Sequence, residues 1–174
     1  IENTVAALAV CDLLKIDQTK VQQAIKDFKG VKRRFEYIVK NEKVVYIDDY
    51  AHHPEELRML ISSAKTLFKG KKVSVVFQPH LFTRTRDFVD GFAASLDLAD
   101  EVILLDIYPA RELPIEGITS EIILNKMALN NKHILSMEST LKWVEASPLE
   151  VLITAGAGDI DTLIEPIKQR LLTK

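Results

Sequence analysis

The sequence predicts an α/β fold: a mostly parallel sheet with helices on both faces, preceded by a short helical remnant of another domain. Three observations predict it. From Phe35 onward, strand and helix signals alternate. The strand runs are short and apolar throughout, as in Val73 to Phe77, which is how strands covered on both faces read. Polar loops follow three of these strands, at Asp48 to His53, Gln78 to Arg86 and Ala155 to Asp161.

The elements follow in order. Val5 to Leu14 is apolar nearly all round and reads as a buried helix, with Cys11 a core residue in it. Asp17 can cap a second helix, in which Val21, Ala24, Ile25 and Phe28 fall at helical spacing before Gly30. Gly30 to Phe35 is the expected hinge, so residues 1–30 and 31–174 are assigned to different domains. The chain opens on Ile1 and enters its first helix at once, which is expected of a piece of a longer protein.

Phe35 to Val39 and Val44 to Ile47 read as strands around the turn Asn41-Glu42. Pro54 to Phe68 is a helix. It has Pro at its first position, Glu55 and Glu56 in its first turn, and Leu57, Leu60, Ile61, Ala64 and Leu67 at helical spacing. Val73 to Phe77 is a strand. Thr85 to Leu96 reads as one helix with Phe88, Phe92 and Leu96 on one face. Strands at Val102 to Leu105, His133 to Leu135 and Val151 to Thr154 alternate with helices at Glu121 to Leu129, Leu141 to Glu145 and Asp161 to Leu172.

Composition narrows the function. At 174 residues the chain suffices for one domain plus a small attachment. A net charge of -2 argues against nucleic acid held by bulk electrostatics. No apolar run approaches the roughly 20 residues of a membrane helix. One cysteine excludes an internal disulfide and fits a reducing compartment.

Parallel strands put their C-terminal loops on one edge of the sheet, where open α/β folds bind ligands. In the first loop, Asp49 can accept two hydrogen bonds from a vicinal diol such as a ribose. His52 and His53 sit at the positive end of the following helix, a field that disfavours imidazolium. A neutral imidazole and Tyr50 could then accept hydrogen bonds from a substrate ammonium. The plainer alternative has His53 or Asp49 capping the helix and Tyr50 in the core. Adjacent histidines in a turn rarely aim at one ion, and no Cys/His cluster completes a coordination set, so no metal ligand is assigned.

In the second loop, a guanidinium suits a carboxylate or phosphate. Arg84 is assigned that role, and Arg86 a pairing with Asp87. The third loop, with Gly156 and Gly158, lacks the last glycine of a dinucleotide fingerprint and carries Asp159 and Asp161 where a pyrophosphate would sit. It allows close approach to a small substrate or simply makes a tight turn. The 174 residues contain no G-x-x-x-x-G-K-[ST] loop for a triphosphate and no Ser-centred nucleophile elbow, so no catalytic residue is assigned.

Several segments together resemble the C-terminal part of a Mur ligase, in order and over essentially the whole chain. They are Asn3 with Ala6-Ala7, Gly30 to Phe35, Asp48 to Pro54, Gln78-Pro79-His80 with Thr83 to Asp87, Tyr108 to Glu112, and Gly156 to Ile160. The match is best to the branch that joins L-alanine to UDP-N-acetylmuramate. The resemblance implies a Rossmann-like last domain, with residues 1–30 as the tail of a central ATP-binding domain. It implies a cytoplasmic, ATP- and magnesium-dependent reaction through an acyl phosphate, in peptidoglycan precursor synthesis. The partners it implies are the two substrates and the protein's other domains.

By the same resemblance Asn3, Arg34 and Asp49 meet the nucleotide, and Tyr50, His52 and Arg84 meet the amino acid. Some relatives carry a basic residue where this chain has Leu81, so His80 or the glycine loop would compensate for that carboxylate contact. Lacking the phosphate cradle, the isolated chain is expected not to cleave ATP. The competing readings are a recycling ligase that attaches a tripeptide to the same UDP-sugar, and a non-catalytic nucleotide- or amino-acid-binding module.

Overall fold

A computed structural model describes residues 2–28 and 30–173. The chain divides into two compact units, Ile1–Val31 and Lys32–Lys174.

The first unit holds α1 (Glu2–Leu13) and α2 (Gln18–Asp27). Asp17 caps α2 as expected, its carboxylate accepting the Lys20 N–H at 3.1 Å. The expectation of a buried first helix is not met. Val5, Val10 and Leu13 are 59%, 54% and 80% exposed, and Cys11 is only partly buried. A helix apolar on all sides needs neighbours all round, and α2 covers one side of it.

The second unit is a six-stranded sheet in the order β1-β2-β6-β3-β4-β5. Its strands are β1 (Glu36–Lys40), β2 (Val45–Asp49), β3 (Val73–Phe77), β4 (Glu101–Leu104), β5 (Lys132–Ile134) and β6 (Val151–Ala155). The β1–β2 pair is an antiparallel hairpin, and the Asn41 side chain closes its turn by accepting the N–H groups of Lys43 and Val44. The other four pairings are parallel.

Alternation along the strands splits the core in two. Val45 and Ile47 of β2, with Val151 and Ile153 of β6, face α3 (Pro54–Leu67), α5 (Val89–Leu96) and α6 (Glu121–Lys126). Tyr46 and Leu152 face the opposite layer, α7 (Met137–Ala146) and α8 (Ile164–Leu172). Leu57, Leu60, Ile61 and Ala64 of α3 are buried; each large side chain among them contributes roughly 1.5–3 kcal/mol by leaving water.

Four helices of this unit differ from expectation. The stretch 82–96 is two helices, α4 (Phe82–Asp87) and α5, broken at Phe88 (φ -117°, ψ 20°). Phe92 and Leu96 are buried, whereas Phe88 is 44% exposed and rests its ring against His53. α6 ends at Lys126, where the Asp97 carboxylate takes the N–H groups of Ala128 and Leu129. α7 starts four residues before the expected Leu141, capped by Ser136. A single turn of 3-10 helix, Asp159–Leu163, precedes α8.

Register positions the site. Asp49 pairs with Ala155, and Ala155 pairs with Phe77. The ends of β2, β6 and β3 therefore lie in one row across adjacent strands. All three polar loops leave the sheet from that row, on the edge the sequence predicts.

Candidate functional site

The first loop leaves β2 through two acids that point to opposite faces of the sheet. Asp48 is fully buried and engaged on both oxygens. It accepts the Thr154 hydroxyl at 2.7 Å and the Arg33 Nε–H at 2.9 Å. Burial raises its pKa, and the Thr154 hydrogen bond and Arg33 oppose the shift.

Asp49 accepts the Phe35 N–H at 2.7 Å on one oxygen and the Ala51 N–H at 2.8 Å on the other. Each oxygen therefore keeps one lone pair for a ligand, enough for the two hydrogen bonds of a vicinal diol. Burial raises this carboxyl too, against the two N–H groups and the charge of Arg34. Asp49 and Arg34 line one open cavity of about 430 Å³ with Phe35, Glu56, Met59 and Ser63. Asn3 lies on α1, in the first unit.

Beyond Asp49 the loop exposes a series of rings. Tyr50 is 39% exposed, not a core residue. Its ring meets His52 edge-on at 5.2 Å; His52 lies 6.1 Å from His80, and His80 stacks on Tyr108 at 5.7 Å. The Arg84 Nη1 lies 3.3 Å from Nδ1 of His80. Tyr50 and His52 of the first loop thus share one rim with His80, just before α4, and Arg84, on α4.

Hydrogen bonds fix the imidazoles. His52 Nδ1 lies 2.9 Å from the Tyr50 carbonyl, which only accepts, so Nδ1 carries the proton and the neutral ring's acceptor is Nε2. His80 is the reverse, because a guanidinium only donates: Nδ1 accepts from Arg84 and Nε2 holds the proton. Burial lowers the pKa of His80, and the charges of Arg84, His52 and Arg111 add to this. His53 is a cap. Its Nδ1 faces the Glu55 N–H at 3.4 Å, and Glu56 answers by accepting the N–H groups of His52 at 2.9 Å and His53 at 3.1 Å.

Arg84 and Arg86 lie on α4 rather than in a loop. Arg86 pairs with Asp87 at 2.7 Å, as expected, yet both are half exposed, so the pair contributes little stability. Glu112 holds the start of α4 by accepting the Thr83 N–H at 3.0 Å and its hydroxyl at 2.5 Å. Leu81 is buried with φ +72°, a conformation that costs a non-glycine residue of order 1–3 kcal/mol. Its N–H donates to the Tyr108 carbonyl at 2.9 Å.

Of the two uses expected of the glycine loop, the contacts within the chain favour the tight turn. A Cβ on Gly156 would lie 2.8 Å from the Gln78 carbonyl oxygen, and one on Gly158 would lie 2.6 Å from the Tyr108 Cβ. Gln78 then donates to Asp159 at 2.7 Å and accepts the Ile160 N–H at 2.9 Å. The close approach that needs glycine is made by the protein's own Gln78 and Tyr108.

Sequence reading left Arg33, Tyr108 and Glu112 without roles. The segment Tyr108 to Glu112 stood out as a motif, but its partners Pro79, His80 and Thr83 lie across a strand crossover. Among the described residues no group of three or more His, Cys, Asp or Glu surrounds a common point where a metal ion could bind. Nor is any helix among them long and apolar enough to cross a membrane.

Comparisons with known proteins agree with this geometry. Residues 33–158 match the family model described as Mur ligase, glutamate ligase domain. The chain is 54% identical over 166 residues to a UDP-N-acetylmuramate–L-alanine ligase of Cytophaga hutchinsonii, covering 95% of this chain and 36% of that protein. It is 51% identical to the protein of that name from Parabacteroides distasonis, covering 98% and 37%. The crystal structure of the UDP-N-acetylmuramate–alanine ligase of Thermotoga maritima superposes with a TM-score of 0.78 at 30% identity, over 98% of this chain and 37% of that one. The chain thus spans little more than a third of the length of the relatives it matches. The family match covers all six strands, the first two loops and the start of the third, and the chain belongs to the Mur ligase family.

Proposed function

We propose that this chain is the C-terminal part of an ATP-dependent ligase that joins L-alanine to UDP-N-acetylmuramate, in cytoplasmic synthesis of peptidoglycan precursors. The observation that carries the reading is the rim where Arg84 and His80 meet Tyr50 and His52. A small zwitterion fits between them. Arg84 grips its carboxylate, while Nε2 of His52 and the Tyr50 hydroxyl accept from its ammonium. Taking a proton from that ammonium frees the amine to attack an acyl phosphate, with phosphate leaving.

The nucleotide sits beside Arg34 and Asp49 in this reading, with Asn3 on the adenine side. Asp49 uses its two remaining lone pairs on the ribose. Magnesium arrives with ATP, and residues outside this chain hold it together with the triphosphate. The residues of this chain bind and orient; the phosphate cradle and the site of the acyl donor belong to the rest of the protein. Residues 1–30 form the end of the ATP-binding domain, and the 174-residue chain alone does not turn over ATP.

The test is amino-acid-dependent phosphate release by the full-length protein supplied with ATP, magnesium and UDP-N-acetylmuramate. Release that depends on L-alanine supports the reading. Release that depends instead on a tripeptide, or on no amino acid, overturns it.

A further inference from the structure

Arg33 touches more of the site's framework than any residue assigned to a ligand. Its Nε–H donates to Asp48 at 2.9 Å, and Nη2 donates to the Gly156 carbonyl at 2.7 Å. Nη1 lies 3.7 Å from Asp161, and the guanidinium carbon sits 5.3 Å from the Tyr50 ring centroid. The main chain adds two bonds. The Arg33 carbonyl accepts the Tyr50 N–H at 2.8 Å, and its own N–H donates to Glu36 at 2.7 Å. The residue holds φ at +56°, so these contacts maintain a backbone conformation that a side chain disfavours.

We infer that Arg33 is a positioning residue for the amino-acid subsite: it clamps the end of β2 to the end of β6 and presents Tyr50 to the substrate ammonium. This rests on the proposed function and adds a division of labour to it. Arg34 and Asp49 line the cavity on one side of the hinge segment. Arg33 and Asp48 lie on the other side and reach Tyr50 and the glycine loop. Neighbouring arginines thus serve different subsites. A guanidinium is required, because its fork spans a carboxylate on one strand and a carbonyl on the next, whereas an ammonium is a point charge.

The test uses steady-state kinetics of the full-length ligase with Arg33→Lys and Arg33→Ala, with the melting temperature of each recorded. Arg33→Lys keeps a charge beside buried Asp48 and is the variant that decides if Arg33→Ala does not fold. The expected result for Arg33→Lys is a KM for the amino acid raised roughly tenfold, as for the loss of one charge-assisted hydrogen bond, with the KM for ATP within about twofold. Arg33→Ala, where folded, should raise it further. A folded Arg33→Lys whose amino-acid KM is unchanged, or whose ATP KM rises equally, overturns the inference. A wild-type enzyme that uses no amino acid overturns the function itself, which separates the two failures.

Discussion

Arg84 donates to Nδ1 of His80 at 3.3 Å, and this contact sets the state of both groups. The guanidinium is held toward the rim by a neutral acceptor that leaves its charge free for a ligand. The imidazole is kept unprotonated by its burial and by that charge.

His80→Ala should raise the KM for the amino acid several-fold by releasing Arg84, and His80→Gln, whose amide oxygen can still accept, should restore part of it. pH gives a second readout. His80 titrates below the usual 6.5, so the neutral acceptor persists through neutrality and is lost as pH falls below that region. The wild-type KM should climb there, and His80→Gln should flatten the climb. Stability follows the same sign, because the unfolded chain binds the proton first; His80 supports the fold above pH 6.5 and loses that contribution on acidification. An unchanged profile in His80→Gln would contradict this.

Asp49 carries the opposite linkage. Burial raises its carboxyl above 3.8, so the folded protein keeps the proton to higher pH than the unfolded chain. As pH rises through that raised value, the fold loses stability. Relative to Asp49→Asn, the wild type should therefore become less stable as pH rises above 3.8, as denaturant titrations at several pH values would show. The same variant should raise the KM for ATP. A carboxylate kept at a cost to the fold is expected where it has a ligand to meet.

Gly158→Ala should destabilise the fold by about 1–3 kcal/mol, because its Cβ meets Tyr108 and Gln78 rather than open space. Thermal denaturation without substrates checks this. A variant of full stability that loses only substrate affinity would return the glycine loop to a ligand-binding role.

Much of this architecture was legible in the sequence. The strands of the parallel sheet announced themselves as short apolar runs, Pro54 with Glu55 and Glu56 marked the start of α3, and three polar loops marked the working edge. What escaped was set by tertiary partners. The break at Phe88 is invisible to periodicity, since its ring leaves the core to rest on His53. The glycines left a substrate's close approach and a tight turn both open, and only the contacts of Gln78 and Tyr108 show which chain atoms fill the space. The two acids of Asp48-Asp49 looked alike, yet strand alternation sends one to Arg33 and Thr154 and the other to the cavity. Arg33 was one of three consecutive basic residues, and its role depends on Gly156, far along the chain.

The most direct measurement is the effect of Arg84→Ala on the two Michaelis constants of the full-length enzyme. Removing a charge-assisted hydrogen bond to the substrate carboxylate costs ~1.5–3 kcal/mol, so the KM for L-alanine should rise by at least roughly tenfold while that for ATP stays within about twofold. Equal increases in both, or none in either, would contradict a rim built to hold a small amino acid.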